Sequence, residues 1–268
     1  MNIFPLPEFV FATIPSFLDE TDPSGILLRQ FAGSVIFRHK RGNINFENGI
    51  VISFDNSPDI VQYNKELKPK YIAWTDNQER LHSDDGPAVI IYDNHYNIKM
   101  KIWMTHGLFA NNNQHPNVIE YYPNGNILHK VWCERKSLTT NDLNSQNSIW
   151  MYIYQHREGL PAQITYYIDG SLHKEIHFLH GLTHNINTNE PSIITYIRNG
   201  EYSKRWFING NLHRAQINLP SIVDYYKSKN VKRETYFNGG RMKEILYNEL
   251  GQIIMIYING LPQYNNIY

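Results

Sequence analysis

Apolar and polar residues alternate in short runs along most of this chain, and the runs return on a fixed beat. Val118-Ile119-Glu120-Tyr121-Tyr122 leads into Asn124-Gly125, a second run and the pair Leu128-His129. The phrase returns at Ile164-Thr165-Tyr166-Tyr167 with Asp169-Gly170, and at Ile194-Thr195-Tyr196 with Asn199-Gly200. A weaker copy stands at Ile222-Val223-Asp224-Tyr225-Tyr226. Period-two alternation predicts half-buried strands, with Ile164, Tyr166 and Ile168 on one side and Thr165 and Tyr167 on the other. Asn or Asp before Gly predicts tight hairpin turns, because both residues tolerate positive φ. Further dipeptides of this kind are Asn48-Gly49, Asn209-Gly210, Asn238-Gly239 and Asn259-Gly260.

Prolines set the phase. Pro87, Pro116, Pro161, Pro191 and Pro220 each precede a Tyr run, at steps of 29, 45, 30 and 29 residues. A residue that cannot donate to a ladder belongs at a strand entry. Trp74, Trp103 and Trp132 keep the same step of 29, and Phe178 to Trp206 is 28. A fixed period of this length predicts stacked units, each too small to bury its own apolar face. The long step holds a polar insertion near 137–148, placed in a loop where closure entropy rises slowly with length. The fold expected is mainly β: an elongated antiparallel β-hairpin repeat array over residues 46–268. About six units of two principal strands, at ~4.8 Å per strand, predict a sheet on the order of 60 Å long.

Residues 1–45 read differently. Leu6-Pro7-Glu8-Phe9-Val10 has proline and an acid where a first helical turn favours them, and Pro15 ends or kinks that helix. Asp22-Pro23 is a second start signal, followed by Ile26, Leu27, Leu28, Phe31 and Val35 near helical spacing. Arg38-His39-Lys40-Arg41 reads as a solvated helix end. A short N-terminal helical segment is therefore expected.

Composition narrows the chemistry. Formal net charge is zero and the pI about 7.2, so no global field draws the chain to nucleic acid. A single cysteine, Cys133, excludes an internal disulfide and fits a reducing compartment such as the cytoplasm. No apolar run approaches the ~18 to 20 residues of a membrane span. The stretch from Met1 to Leu18 lacks a basic start, so a secretory leader is not expected. His82, His129, His173, His184 and His213 follow turns at or near repeat register, which reads as a packing position with the ring bonded to a neighbouring turn. They lack the local spacing of a metal site, so no metal is expected. Nucleophile-elbow, phosphate-loop and dinucleotide motifs are all missing. Cys133 reads as a buried thiol and Asp84-Asp85 as solvated turn acids. No catalytic residue, no cofactor and no enzymatic activity are expected.

Two resemblances follow from these motifs. Tyr121-Tyr122-Pro123-Asn124-Gly125-Asn126-Ile127-Leu128-His129 and Trp206-Phe207-Ile208-Asn209-Gly210-Asn211-Leu212-His213-Arg214 resemble the MORN repeat in its second variant. The longer cycle, at Arg80-Leu81-His82-Ser83-Asp84-Asp85-Gly86-Pro87-Ala88 and Arg157-Glu158-Gly159-Leu160-Pro161-Ala162, is similar to MORN-like arrays of large DNA viruses of amoebae. The likeness covers roughly 48–264 and implies a repeat-structural role for Trp74, Pro87, Trp103, Pro116, Tyr121, Gly125, Pro161, Tyr166, Gly170, Pro191, Tyr196, Gly200, Trp206, Gly210, Pro220 and Tyr225. Leu6-Pro7-Glu8, Ile14, Phe17-Leu18-Asp19, Asp22 and Leu27-Leu28-Arg29 resemble an F-box. That resemblance implies docking of Leu6, Pro7, Ile14, Phe17 and Leu18 on a Skp-type adaptor of a ubiquitin ligase, in the host cytoplasm if the protein is viral. A plain helical cap over the first repeat is the alternative for this segment.

The function expected is a non-enzymatic protein-interaction module, of the order found in F-box substrate receptors. The alternatives are a MORN-type scaffold or peripheral phospholipid-binding protein, with Lys227-Ser228-Lys229 and Lys232-Arg233 facing anionic lipid, and an antitoxin-like repeat protein.

Overall fold

β-branched and aromatic residues at alternate positions, punctuated by turn dipeptides, favour antiparallel hairpins over any other element. The computed structural model describes residues 36–38, 58–63, 68–109, 114–134, 137–138, 155–214, 216, 218–238 and 240–263. The chain opens with β1 (Ile36–Arg38), β2 (Ile60–Tyr63), β3 (Pro69–Ala73), β4 (Val89–Tyr92) and β5 (Ile98–Ile102). A short pair follows, β6 (Met104–Thr105) and β7 (Leu108–Phe109), then β8 (Val118–Tyr121), β9 (Ile127–Val131), β10 (Gln163–Tyr166) and β11 (Leu172–Ile176). A second short pair is β12 (Phe178–Leu179) and β13 (Leu182–Thr183), before β14 (Ile193–Tyr196) and β15 (Tyr202–Arg205). The third is β16 (Phe207–Ile208) and β17 (Asn211–Leu212). The chain closes with β18 (Ile222–Tyr225), β19 (Val231–Asn238), β20 (Arg241–Tyr247), β21 (Ile253–Ile258) and β22 (Leu261–Gln263). Sixteen of these strands form one antiparallel sheet whose order follows the chain, and the short pairs stand outside it as three two-stranded ladders.

The unit is thus a long hairpin in the sheet, a Trp-position residue, and a small hairpin beside the sheet. The two hairpins use different turns. In the small ones both central residues have positive φ: His106-Gly107 at 50° and 76°, His180-Gly181 at 48° and 77°, Asn209-Gly210 at 49° and 81°. That is the two-residue turn expected at Asn209-Gly210. The long hairpins depart from the expectation. In Asn124-Gly125, Asp169-Gly170 and Asn199-Gly200 only the glycine has positive φ, at 85°, 84° and 92°. Gly125 donates to Tyr122 O at 2.9 Å and Tyr122 to Asn126 O at 2.8 Å, and the β8–β9 register shifts between Glu120 and Tyr121. This is a three-residue loop, a type I turn closed by a left-handed residue and a bulge.

The residue after each entry proline explains the Pro-Ala signature. Asp59, Ala88, Asn117, Ala162, Ser192 and Ser221 are all small or short and all buried, at 0–5% exposure. Ala88 N donates to Ile102 O at 2.8 Å while Trp74 N donates to Ala88 O at 2.9 Å. Backbone at this position is clamped between its own hairpin and the preceding unit, so a large side chain has no room. Polar members cap the next small hairpin: Asn117 Oδ1 accepts Cys133 N at 2.9 Å, and Ser192 Oγ accepts Phe207 N at 3.1 Å. Asp59 Oδ2 accepts Thr75 N in the same way. Pro58 is therefore a further entry, 29 residues before Pro87, with Asp59 at the position filled by Ala88, Asn117, Ala162, Ser192 and Ser221 in the others.

Packing is graded along the array. Ala73, Val89, Ile102, Val118 and Val131 face one another across five adjacent strands and are fully buried. Leu81, Met104, Phe109 and Leu138, from the small-hairpin row, complete the same cluster. The row then continues as Gln163, Ile176, Ile193, Arg205, Ile222 and Thr235, and loses its apolar character.

Three expectations change. Ile36–Arg38, read as the tail of the helical segment, is a strand paired with Ile60–Tyr63, so the sheet reaches across the expected boundary at 45. Ile36 and Phe37 suit a pleated surface better than a helix end. The sheet holds sixteen strands, not twelve, because β1–β3 join it and the last small hairpin is absorbed into the continuous ladder of β19 and β20. Fifteen spacings of ~4.8 Å make it about 72 Å across. Phe178 is not the partner of Trp206: His177 N donates to Ser192 O as Trp206 N donates to Ser221 O, and Phe178 matches Phe207. Both matches restore a step of 29. Leu6, Pro7, Ile14, Phe17 and Leu18 lie outside the described residues.

Candidate functional site

The sheet face opposite the core carries a regular device at the unit junctions. One cross-strand row reads Ile90, Lys101, Ile119, Lys130, Ile164, Glu175, Ile194, Lys204, Val223, Glu234 and Ile245, aliphatic and charged by turns. Each charged residue comes from the second strand of a hairpin and engages the tyrosine ending a later strand. Lys101, Lys130 and Lys204 place Nζ 5.6, 5.4 and 5.6 Å from the ring centres of Tyr121, Tyr166 and Tyr225. Where the residue is Glu the hydroxyl is used instead: Tyr196 donates to Glu175 Oε2 at 2.9 Å and Tyr247 to Glu234 Oε2 at 2.7 Å. A cation over a ring face and an anion at a phenol are the two favourable ways to meet tyrosine. Burial, with the Glu175 bond, pushes the Tyr196 phenol up to about 12. A second tyrosine position ties turns together: Tyr122 Oη donates to Tyr166 O at 3.0 Å, Tyr167 to Tyr196 O at 2.9 Å and Tyr226 to Tyr247 O at 2.8 Å. The result is a stripe of half-buried tyrosines with lysine and isoleucine between them.

The repeat residues named from sequence take consistent places. Trp103 and Trp206 stand between long and small hairpins, Trp74 and Trp132 stand before the single bridges Thr75–Leu81 and Cys133–Gln155 that take a small hairpin's place, and Tyr121, Tyr166, Tyr196 and Tyr225 end their strands. Gly125, Gly170 and Gly200 close long turns, and Gly210 closes a small one. Arg157 and Arg214 stack 3.9 and 4.1 Å from the rings of Trp132 and Trp206. Gly200 has a close-approach role too: a Cβ there would meet Lys227 Cγ at 2.9 Å.

The histidines divide into two classes that the sequence reading had merged. His129 and His173 lie in the main sheet. Burial lowers the pKa of both and raises that of Glu120, whose carboxylate is 3.9 Å from His129 Nε2. His129 Nδ1 bonds Thr165 Oγ1 at 3.0 Å, so this trio marks where the core turns polar. His82, His156, His184 and His213 instead follow the small hairpins, each donating its amide to the Trp-position carbonyl at 3.0–3.1 Å. The rings of His82, His156 and His184 accept the backbone N–H of the next small turn, from His106, His180 and Asn209, at 3.3–3.4 Å. Ring-to-turn bonding was the role expected for His82 and His184. In the same row Gly107, Gly181 and Gly210 donate to Leu81 O, Gln155 O and Thr183 O at 2.7–3.0 Å. The small hairpins thus stack through one amide and, at these three turns, one imidazole per step.

Sequence reasoning missed His156, whose hairpin is split by the insertion between Cys133 and Gln155, and it missed the turn residues His106 and His180. Each pairs with a histidine 24 residues earlier, His82 with His106 and His156 with His180, with rings stacked at 4.3 and 4.9 Å. An acid two residues past the tryptophan completes each pair. Asp76 Oδ2 is 2.9 Å from His106 Nδ1, and Glu134 Oε1 contacts His180 Nδ1. The available signal was a repeated 24-residue spacing between histidines, which no local motif captures.

No family model matches the chain, and no curated protein matches it.

Other features add little chemistry. Burial raises the pKa of the Cys133 thiol, the opposite of what a nucleophile needs. Two open hollows of about 270 and 260 Å³ lie beside Ser203 and Tyr121. In the basic cluster, Lys232 is bound by Glu201 at 2.8 Å, and Arg233 by Asp224 at 2.7 Å and Glu244 at 3.6 Å. Lys227 and Lys229 are exposed beside them.

Proposed function

We propose that this chain is a non-enzymatic recognition protein whose tyrosine–lysine stripe binds a protein partner and whose N-terminal segment recruits a Skp-type adaptor. The stripe carries the reading. It presents half-buried rings, held by neighbouring units, between isoleucine and lysine on a sheet about 72 Å across. Fixed aromatic rings offer large contact area at small entropic cost, which is why Tyr and Trp dominate interface anchors. The F-box resemblance of Leu6, Pro7, Ile14, Phe17 and Leu18 supplies the second half, and the order of adaptor grip followed by recognition surface is that of a substrate receptor.

The test is a pull-down from a eukaryotic lysate with the full chain and with a Leu6→Ala, Leu18→Ala double variant. Substitution is preferable to deleting residues 1–45, which would remove the edge strand Ile36–Arg38. The full chain should recover a Skp-type adaptor and the double variant should not, since an anchor buried in a partner groove is worth ~2 kcal/mol or more. Equal recovery by both, or none by either, would assign residues 1–35 a capping role instead.

A further inference from the structure

We infer that Glu134, His156 and His180 form a binding site for a divalent transition-metal ion of the zinc class, at the junction of two small hairpins. One ligand atom from each lies within 4.8 Å of the others. Two imidazoles and a carboxylate are a donor set that suits zinc and its neighbours, and a three-ligand site keeps a position open to water or to a partner's side chain.

The second copy of the constellation shows what distinguishes this one. Asp76, His82 and His106 occupy the same repeat positions, yet the carboxylate there is already spent. Arg80 holds Asp76 Oδ2 through Nε at 2.8 Å and Nη2 at 2.7 Å, while the amides of Gln78 and Arg80 hold Oδ1 at 2.9 and 3.0 Å. A metal on Oδ2 would have to displace a guanidinium, from a carboxylate whose other oxygen is fixed by two amides. At the other site the contact of Glu134 with His180 is its one side-chain bond among the described residues. Arg157, which follows His156, lies over Trp132 and donates to Pro161 O at 3.3 Å.

Access and cost agree. The His180 side chain is 65% exposed and that of Glu134 31%, so both can adjust from separations within 4.8 Å to the ~3.3 Å between ligands around a tetrahedral ion. Coordination through His156 Nδ1 would give up the 3.4 Å contact from the His180 amide, which is at the weak end of hydrogen-bond distances, and coordination through Nε2 would keep it. The two rings, stacked at an interplanar angle of 10°, must tilt toward one another to share an ion. Binding would fasten one small hairpin to the next across the segment that contains the insertion.

Titration of the metal-free full chain with Co²⁺ and Zn²⁺, read by visible absorption and calorimetry, tests this. One ion per chain should bind. Glu134→Gln and His180→Asn should each weaken binding by about tenfold or more, at least the loss that removing a supporting outer-shell group causes. Asn is chosen because Asn209 fills the corresponding turn position with φ of 49°, so the variant keeps its backbone. Asp76→Asn and His106→Asn should leave the affinity unchanged. Circular dichroism melts of the metal-free variants verify that each is folded. Absence of stoichiometric binding, or binding that survives Glu134→Gln and His180→Asn, would overturn the assignment.

Discussion

Phe109→Ala is expected to destabilise the chain by about 3–5 kcal/mol, with a fall of roughly 10 °C in melting temperature. Phe109 sits in a small hairpin, yet it is fully buried among the main-sheet residues of the N-terminal core. Truncation loses both the transfer free energy of the ring and the contacts around the void it leaves. Phe207, on the first strand of the third small hairpin, is only partly buried. There Phe207→Ala should cost about 1–2 kcal/mol, because water reaches the space and no sealed cavity forms. Thermal or urea melts of the two variants therefore measure the gradient along the array. Equal losses would contradict the picture of a dense first half and a polar second half.

The entry position supplies the other large effect. Ala162→Leu should destabilise by about 2–3 kcal/mol, since added methylenes must push apart backbone that is bonded on both sides. Ala162 is fully buried, its amide on Ile176 O at 2.9 Å and its carbonyl on Trp132 N at 2.9 Å. Ala162→Ser should stay within about 1 kcal/mol of the parent, because a serine at this position has a ready partner. Ser192 shows it, its hydroxyl accepting from Phe207 N and donating to Phe207 O, both at 3.1 Å. A melt in which serine is as damaging as leucine would refute the view that volume sets this position.

Much of the fold was legible because its causes are local. Asn124-Gly125, Asp169-Gly170 and Asn199-Gly200 each fix a reversal within a few residues, and each entry proline marks the same strand start, so the period could be counted. What stayed hidden depends on contacts between units. The small hairpins were not separable from the long ones, since Asn124-Gly125 and Asn209-Gly210 look alike and differ only in how many residues take positive φ. Pro58 is not marked as an entry by its neighbours in sequence, although the Asp59 carboxylate does the capping that Asn117 and Ser192 do later. The strand at Ile36–Arg38 is only three residues long, too short for a period to declare itself. The acid–histidine clusters join residues from successive units, and the insertion moves Glu134 and His156 apart in sequence while leaving them together in space. The ion pairs of Lys232 and Arg233 were not legible because their acidic partners, Glu201, Asp224 and Glu244, lie outside the strand that carries them.

The two-row architecture rests on the stacking of small hairpins, and amide hydrogen exchange on the full chain reads it most directly. In an isolated two-residue turn of this type the amide of the second turn residue points to solvent and exchanges freely. Here Gly107, Gly181 and Gly210 donate instead to Leu81, Gln155 and Thr183 of the preceding unit. Their amides should be protected well beyond those of exposed turn residues such as Asn94 and Ser228. Exchange of all three at the rate of those open turns would show that the small hairpins do not stack.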